Sequence, residues 1–229
     1  MALVTDIKSL RRGSKRRVIE LDHSEWRETS SEVLASLGVS AGYIAPDAEL
    51  AEALDAAEPK HAREQALRLL AYRERSAAEV RSRLLEDGYP EVVASDVVAA
   101  LQRTGLVDDE RFARMMARVL TQIRGMGRAR ALRELASKGV DTELARASLD
   151  EALPPDAELE AAATLAHALA ARPAATVDRI AARLARKGYS PAIALRAARA
   201  AFATLERDAA DDAGEWDADG AADLPEDGA

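Results

Sequence analysis

The chain has 229 residues, 48% hydrophobic, 31% charged and only 3% aromatic, the profile of closely packed helices with charged outer faces. The absence of cysteine excludes a disulfide framework, a thiolate metal site and a cysteine nucleophile. No stretch approaches the 18 or so uninterrupted apolar residues of a membrane span and no apolar signal region opens the chain, so the expected location is cytoplasmic. The formal net charge is −8, and the segment from Arg207 onward, with one basic and nine acidic side chains, accounts for all of it.

In chain order, the first elements read as two short strands, 4–10 and 18–21, around a basic turn of Arg11, Arg12, Lys15, Arg16 and Arg17, which predicts a β-hairpin. A helix is expected over 24–37, closed by Gly38, and a shorter one over 46–56 with Pro46 in its first turn. Pro59 is expected to end this N-terminal module, residues 1–60.

From His61 the chain reads as three units of three helices each: 61–106, 107–154 and 155–206. The expected helices are 61–73, 76–87 and 90–104, then 108–123, 126–138 and 141–152, then 156–171, 175–187 and 190–206. Ser76 with Glu79 fits a capping box, Asp108 an N-cap with Val107 and Phe112 as a hydrophobic staple, and Pro191 follows the candidate cap Ser190.

The units are marked by one phrase, a leucine four residues before a glycine that is followed by an apolar residue. It stands at Leu84/Gly88/Tyr89, Leu135/Gly139/Val140 and Leu184/Gly188/Tyr189, with the glycines 51 and then 49 residues apart. Glycine just past a helix can take the left-handed conformation, and the next residue packs back onto the last turn. Leu101/Gly105/Leu106 and Leu34/Gly38/Val39 carry the same device. A period near 50 predicts an all-α fold of tandem three-helix repeats, a curved helical array, behind a small β-hairpin-plus-helix module. The acidic residues 207–229, with scattered glycine and one large apolar residue, Trp216, are expected to be a disordered tail.

Catalytic chemistry finds little support. His23, His61 and His167 lie far apart, and none has another ligand four residues away, which argues against a zinc pair or a histidine triad. Gly125, Met126 and Gly127 complete no phosphate-binding glycine pattern. Asp108 and Asp109 sit where acids satisfy free helix N–H groups, so capping explains them better than acid–base catalysis. The expectation is a non-enzyme without cofactor or metal.

The basic residues are more informative. Arg114, Arg118, Arg124, Arg128, Arg130, Arg133 and Lys138 fall in a 25-residue window whose one acid is Glu134, a local charge of +6. Arg179, Arg183, Arg186 and Lys187 echo them in the third unit, and spacings of four and three put those arginines on one helix face. A surface of one sign points to phosphates or an acidic partner.

The stretch Gly105, Leu106, Val107, Asp108, Asp109, Glu110, Arg111, Phe112, Ala113, Arg114 resembles the signature of the bacterial RecX regulatory proteins. Residues 66–89, with Ser76, Glu79, Leu84 and Gly88, resemble that family's first-repeat segment, and 128–140 its arginine-rich second-repeat helix; Ala131 departs from the larger aliphatic residue expected there. The resemblance covers about 62–205. It implies a non-enzymatic, monomeric modulator of the RecA recombinase in DNA repair, recombination and the SOS response. Such a protein binds RecA and its filament on single-stranded DNA, with single- or double-stranded DNA as a further partner, and mainly inhibits ATPase, co-protease and strand-exchange activities. The eleven basic residues above would be its contacts. The alternative is a helical-repeat DNA-binding protein or interaction scaffold unrelated to RecA. Base readout is disfavoured because the arginine-rich helices 126–138 and 175–187 contain no Asn or Gln.

Overall fold

The computed structural model describes residues 1–219, with side chains to Arg207. It divides into two compact units. The first comprises Met1–Ala113 with Lys138–Val140, and the second Arg114–Ser137 with the chain from Asp141.

The first unit opens with a four-stranded antiparallel sheet. β1 (Ala2–Ser9), β2 (Arg16–Leu21), β3 (Ser24–Ser30) and β4 (Ile44–Ala45) are ordered β3-β2-β1-β4. The expected hairpin is β1–β2, with Ile7 opposite Ile19 and Ser9 opposite Arg17. The helix expected over 24–37 is corrected: its first half is β3, because β2 presents a free edge that Thr29, Glu28 and Arg27 pair with at Arg17, Val18 and Ile19. Only α1 (Ser31–Leu37) is helical, starting at Ser30, whose hydroxyl accepts from the Glu32 N–H.

A second correction concerns Pro59. α2 (Asp47–Tyr72) runs through it without a break. Proline within a helix removes one N–H donor, and here both sides of that gap are held in place. Leu50, Leu54, Ala62 and Ala66 bury one continuous face, and the buried Glu58 accepts from Thr29 Oγ1 and Arg27 at 2.8 Å each. Burial pushes the Glu58 carboxyl up, against the attraction of Arg27. The first helix of the first repeat is therefore the second half of α2.

α3 (Ala77–Glu86) and α4 (Glu91–Arg103) complete that repeat. The sheet, α1, α2, α3 and α4 share one apolar core that includes Ile19, Val33, Leu54, Leu84 and Leu101. The helix stops work as the spacing predicts. Gly38, Gly88 and Gly105 have positive φ, and the N–H of the following residue bonds back to Leu34, Leu84 and Leu101 at 3.0–3.1 Å. Ser76 accepts the Glu79 N–H, but the reciprocal half of the expected capping box is replaced. Glu79 binds Arg73 and Lys138, and Asp109 accepts the Ala77 N–H at 2.8 Å.

α5 (Asp109–Arg118) carries the chain out of the first unit. Asp108 accepts the Arg111 N–H at 2.9 Å, so both aspartates cap helices: Asp108 its own, Asp109 that of α3. Val107 and Phe112 are both buried.

The expected helix 108–123 is present, as α5 followed without a break by a turn of π-helix. The second unit begins with the close of α5 and a π-helical turn over Val119–Ile123, where Arg124 N–H bonds to the Val119 carbonyl. α6 (Arg128–Ser137), α7 (Thr142–Ala152), α8 (Pro155–Ala170), α9 (Val177–Arg186) and α10 (Pro191–Asp219) follow. α8, α9 and α10 enclose a core that includes Ala166, Leu169, Ile180, Leu184 and Ala198. The helix expected to stop at 206 continues to Asp219. The remaining tail, and the side chain of Trp216, lie outside the described residues. Among the described residues no helix is long and apolar enough to cross a membrane.

Candidate phosphate-binding face

The basic residues fall into three settings. Lys138 belongs to the first unit, where its ammonium lies 3.2 Å from Glu79. Burial opposes ionisation of Glu79, but hydrogen bonds from Arg73 and Lys138 hold its carboxyl below the ordinary range. Lys138 is a structural tie.

In the second unit two window arginines meet acids supplied by α7, outside the window. Arg118 pairs with Glu151 at 2.9 Å; Arg128 pairs with Asp150 and donates to the Leu153 carbonyl at 3.2 Å. Arg130 faces Glu134 along its own helix at 3.8 Å. A window of sequence counts only its own charges, and the fold brings α7 against α6. Arg114 is exposed and has a partner of its own. Arg124 and Arg133 are exposed and form no ion pair among the described residues.

The third setting is α9, whose N-terminus is capped by Thr176. Ile180 and Leu184 are buried on one face, while Arg179, Arg183 and Arg186 project from the exposed face. Arg179 donates to the Ala174 carbonyl at 2.8 Å, and none of the three meets a carboxylate among the described residues. Lys187 donates to the Arg124 carbonyl at 2.8 Å, so it fixes the turn after the π-helical segment.

The arginines of α6 and α9 are brought together by glycines. Gly127 N–H bonds to the Lys187 carbonyl at 2.9 Å, and Ala129 N–H to the Gly188 carbonyl at 3.2 Å. A Cβ on Gly127 would stand 2.4 Å from Tyr189 N, and one on Gly188 2.3 Å from the Arg130 Cβ. Arg130 also reaches the Arg186 carbonyl at 3.3 Å. Arg130, Arg133, Arg183 and Arg186 therefore belong to two helices joined in backbone contact.

Sequence reasoning missed Arg172. It lies past the end of α8, outside both basic windows, and lines the same cleft as the α9 arginines. The basic turn of the first unit, read only as a hairpin connection, is partly neutralised. Lys15 pairs with Glu32 and Arg16 with Glu28, whereas Arg11 and Arg12 are exposed without an ion pair among the described residues.

The fold and this face define a helical-repeat protein whose three-helix units carry exposed arginines. Comparison with known proteins agrees. The description "RecX, first three-helix domain" matches residues 62–101 and "RecX, second three-helix domain" matches 108–149. The regulatory protein RecX of Mycolicibacterium smegmatis is 35% identical over 162 residues, 65% of this chain and 83% of that protein. That of Mycobacterium ulcerans is 36% identical over 155 residues, 65% and 88%. A crystal structure of RecX from Lactobacillus salivarius superposes with a TM-score of 0.58 at 23% identity, covering 64% of this chain and 98% of that one. Another regulatory protein RecX structure gives 0.55 at 22%, covering 84% and 97%. The chain belongs to the RecX family of regulatory proteins.

Proposed function

We propose that this chain binds the filament that the RecA recombinase forms on single-stranded DNA and restrains its ATPase, co-protease and strand-exchange activities. It acts as a cytoplasmic monomer, without chemistry of its own, in DNA repair, recombination and the SOS response. The observation that carries this reading is the arginine face shared by α6 and α9 in a chain of the RecX family. Guanidinium groups fit carboxylates and phosphates with paired donors, so such a face suits a recombinase surface or the DNA it coats.

A titration of DNA-stimulated RecA ATP hydrolysis tests the reading. The wild-type chain lowers turnover, and Arg133→Ala/Arg186→Ala needs roughly tenfold more protein for the same effect, as expected for two exposed charge contacts of ~0.5–1 kcal/mol each. No reduction by the wild-type chain at any stoichiometry overturns the proposal.

A further inference from the structure

We propose that the cleft between the β1–β2 turn and the end of α3 is a docking site for an acidic, extended peptide segment of a partner protein. The site goes beyond the reading above. All its residues belong to the first unit, and the basic turn precedes the segments that match RecX three-helix domains.

The cleft has a volume of about 540 Å³, within the ~300–1,000 Å³ range of ligand clefts, and its two walls differ in character. One wall is the turn. Arg11 and Arg12 are exposed there without an ion pair among the described residues, beside Leu10, which is also exposed. Lys15 and Arg16 are taken up by Glu32 and Glu28, so the free charge of this wall is that of two adjacent guanidiniums. The other wall is the end of α3, where Arg83 is shared by Glu86 at 3.1 Å and Asp87 at 3.2 Å. Two carboxylates around one guanidinium leave that wall acidic, and the negative end of the helix dipole adds to it.

Both walls are held in place. The Arg11 carbonyl accepts from the Ser14 N–H at 3.0 Å and from Ser9 Oγ at 2.9 Å, which closes the turn that carries the two arginines. Asp87 is buried and accepts from Gln65 Nε2 at 2.6 Å, which anchors it to α2. A Cβ on Gly88 would stand 2.5 Å from the Thr29 carbonyl oxygen and 3.0 Å from the Arg16 Cα, so the strands sit directly on the end of α3.

Walls of opposite sign select the ligand. A phosphodiester backbone carries one sign of charge, which Arg11 and Arg12 attract and Glu86 repels. No aromatic ring lines the cleft to stack a base. A peptide carries carboxylates and backbone N–H donors on one chain, and so satisfies both walls. In an extended segment, side chains at alternate positions share a face about 7 Å apart. Two carboxylates then meet the two guanidiniums, while N–H groups remain open to Glu86. Nothing lies within 4 Å of a Cβ built on Gly13, so a second backbone has room to pass close to the turn.

Fluorescence anisotropy on the full chain tests the site, with a labelled peptide of alternating Glu and Ser, the matching peptide of Gln and Ser, and a labelled oligothymidylate. The wild-type chain binds the Glu peptide and not the Gln peptide. Arg11→Ala/Arg12→Ala weakens binding of the Glu peptide about tenfold, as expected for two exposed charge contacts. Arg11→Lys/Arg12→Lys keeps most of the affinity, which separates charge from folding. Arg133→Ala/Arg186→Ala leaves peptide binding unchanged. No effect of the alanine pair at the turn, or a larger effect of the α6–α9 pair, overturns the site. Loss of oligothymidylate binding in the Arg11→Ala/Arg12→Ala chain, with the peptide unaffected, assigns the cleft to nucleic acid. A chain truncated after Arg207 that binds the Glu peptide more tightly, by a gain the alanine pair abolishes, assigns it to the acidic segment of this same chain. Either result overturns a partner protein as the occupant. The RecA titration changes neither arginine of the turn, so each proposal can fail alone.

Discussion

Gly38 and Gly188 both follow helices with positive φ, 67° and 97°, but their surroundings differ. Nothing lies within 4 Å of a Cβ built on Gly38, whereas one on Gly188 would stand 2.5 Å from the Arg130 backbone nitrogen. Gly38→Ala therefore costs only the left-handed conformation, ~1 kcal/mol. Gly188→Ala adds a collision between helices and costs at least ~3 kcal/mol. Equal urea midpoints for the two variants would show that the α6–α9 contact yields without cost.

Glu79 is a second case in which the neighbours decide. Its carboxyl is held below the ordinary glutamate range, so at mildly acidic pH the unfolded chain takes up a proton that the folded chain does not. The stability it contributes is present above that range and lost as pH falls through the folded value. Chemical denaturation of the wild-type protein and of Glu79→Gln should give stabilities that converge at low pH and separate toward neutrality. Parallel profiles would mean that Arg73 and Lys138 do not hold the carboxylate.

At the scale of elements, each unit contains a helix start satisfied by an acid from the next repeat. In the first unit Asp109, at the start of α5, accepts the Ala77 N–H of α3 at 2.8 Å. In the second unit Glu158, in α8, accepts the Arg128 N–H of α6 at 2.9 Å. Middle helices of two repeats thus receive the same kind of cap from the first helix of the repeat that follows. Asp109→Ala and Glu158→Ala should each lower stability by ~0.5–2 kcal/mol, the range for loss of an N-cap. Thermal melting checks this, and a change in Tm within error for both variants would show that water replaces the carboxylate without cost.

The helix ends were legible because glycine, leucine and a following apolar residue act within one turn of chain. The inter-repeat caps were not, since Asp109 and Ala77 are 32 residues apart and Glu158 and Arg128 are 30 apart. The same limit explains β3 and Pro59. The segment Ser24–Ser30 is a strand because β2 offers it an edge, and α2 continues through Pro59 because its apolar face and Glu58 are anchored on both sides.

At the scale of the whole molecule, the net charge of −8 describes the tail better than the repeats. Attraction to a polyanion is governed by local cations, within a Debye length of about 10 Å. Despite the overall negative charge, the proposed binding to RecA filaments should therefore weaken as salt rises between about 0.05 and 0.2 M, a dependence that light scattering or anisotropy can read. Affinity that rises or stays constant with salt would assign the contact to apolar groups instead.

The sequence by itself determined the tandem three-helix architecture, the glycine stops and the family, because each is written in local spacing: a helix ends, or a motif is matched, within a few turns of chain. Tertiary structure alone decided which basic residues are available. Asp150 and Glu151 reach Arg128 and Arg118 from another helix, Glu79 captures Lys138, and Arg172 joins Arg179, Arg183 and Arg186 around a cleft that no acid lines. Charge is a property of a residue, but its compensation is a property of neighbours in space, and those are fixed only when the helices pack.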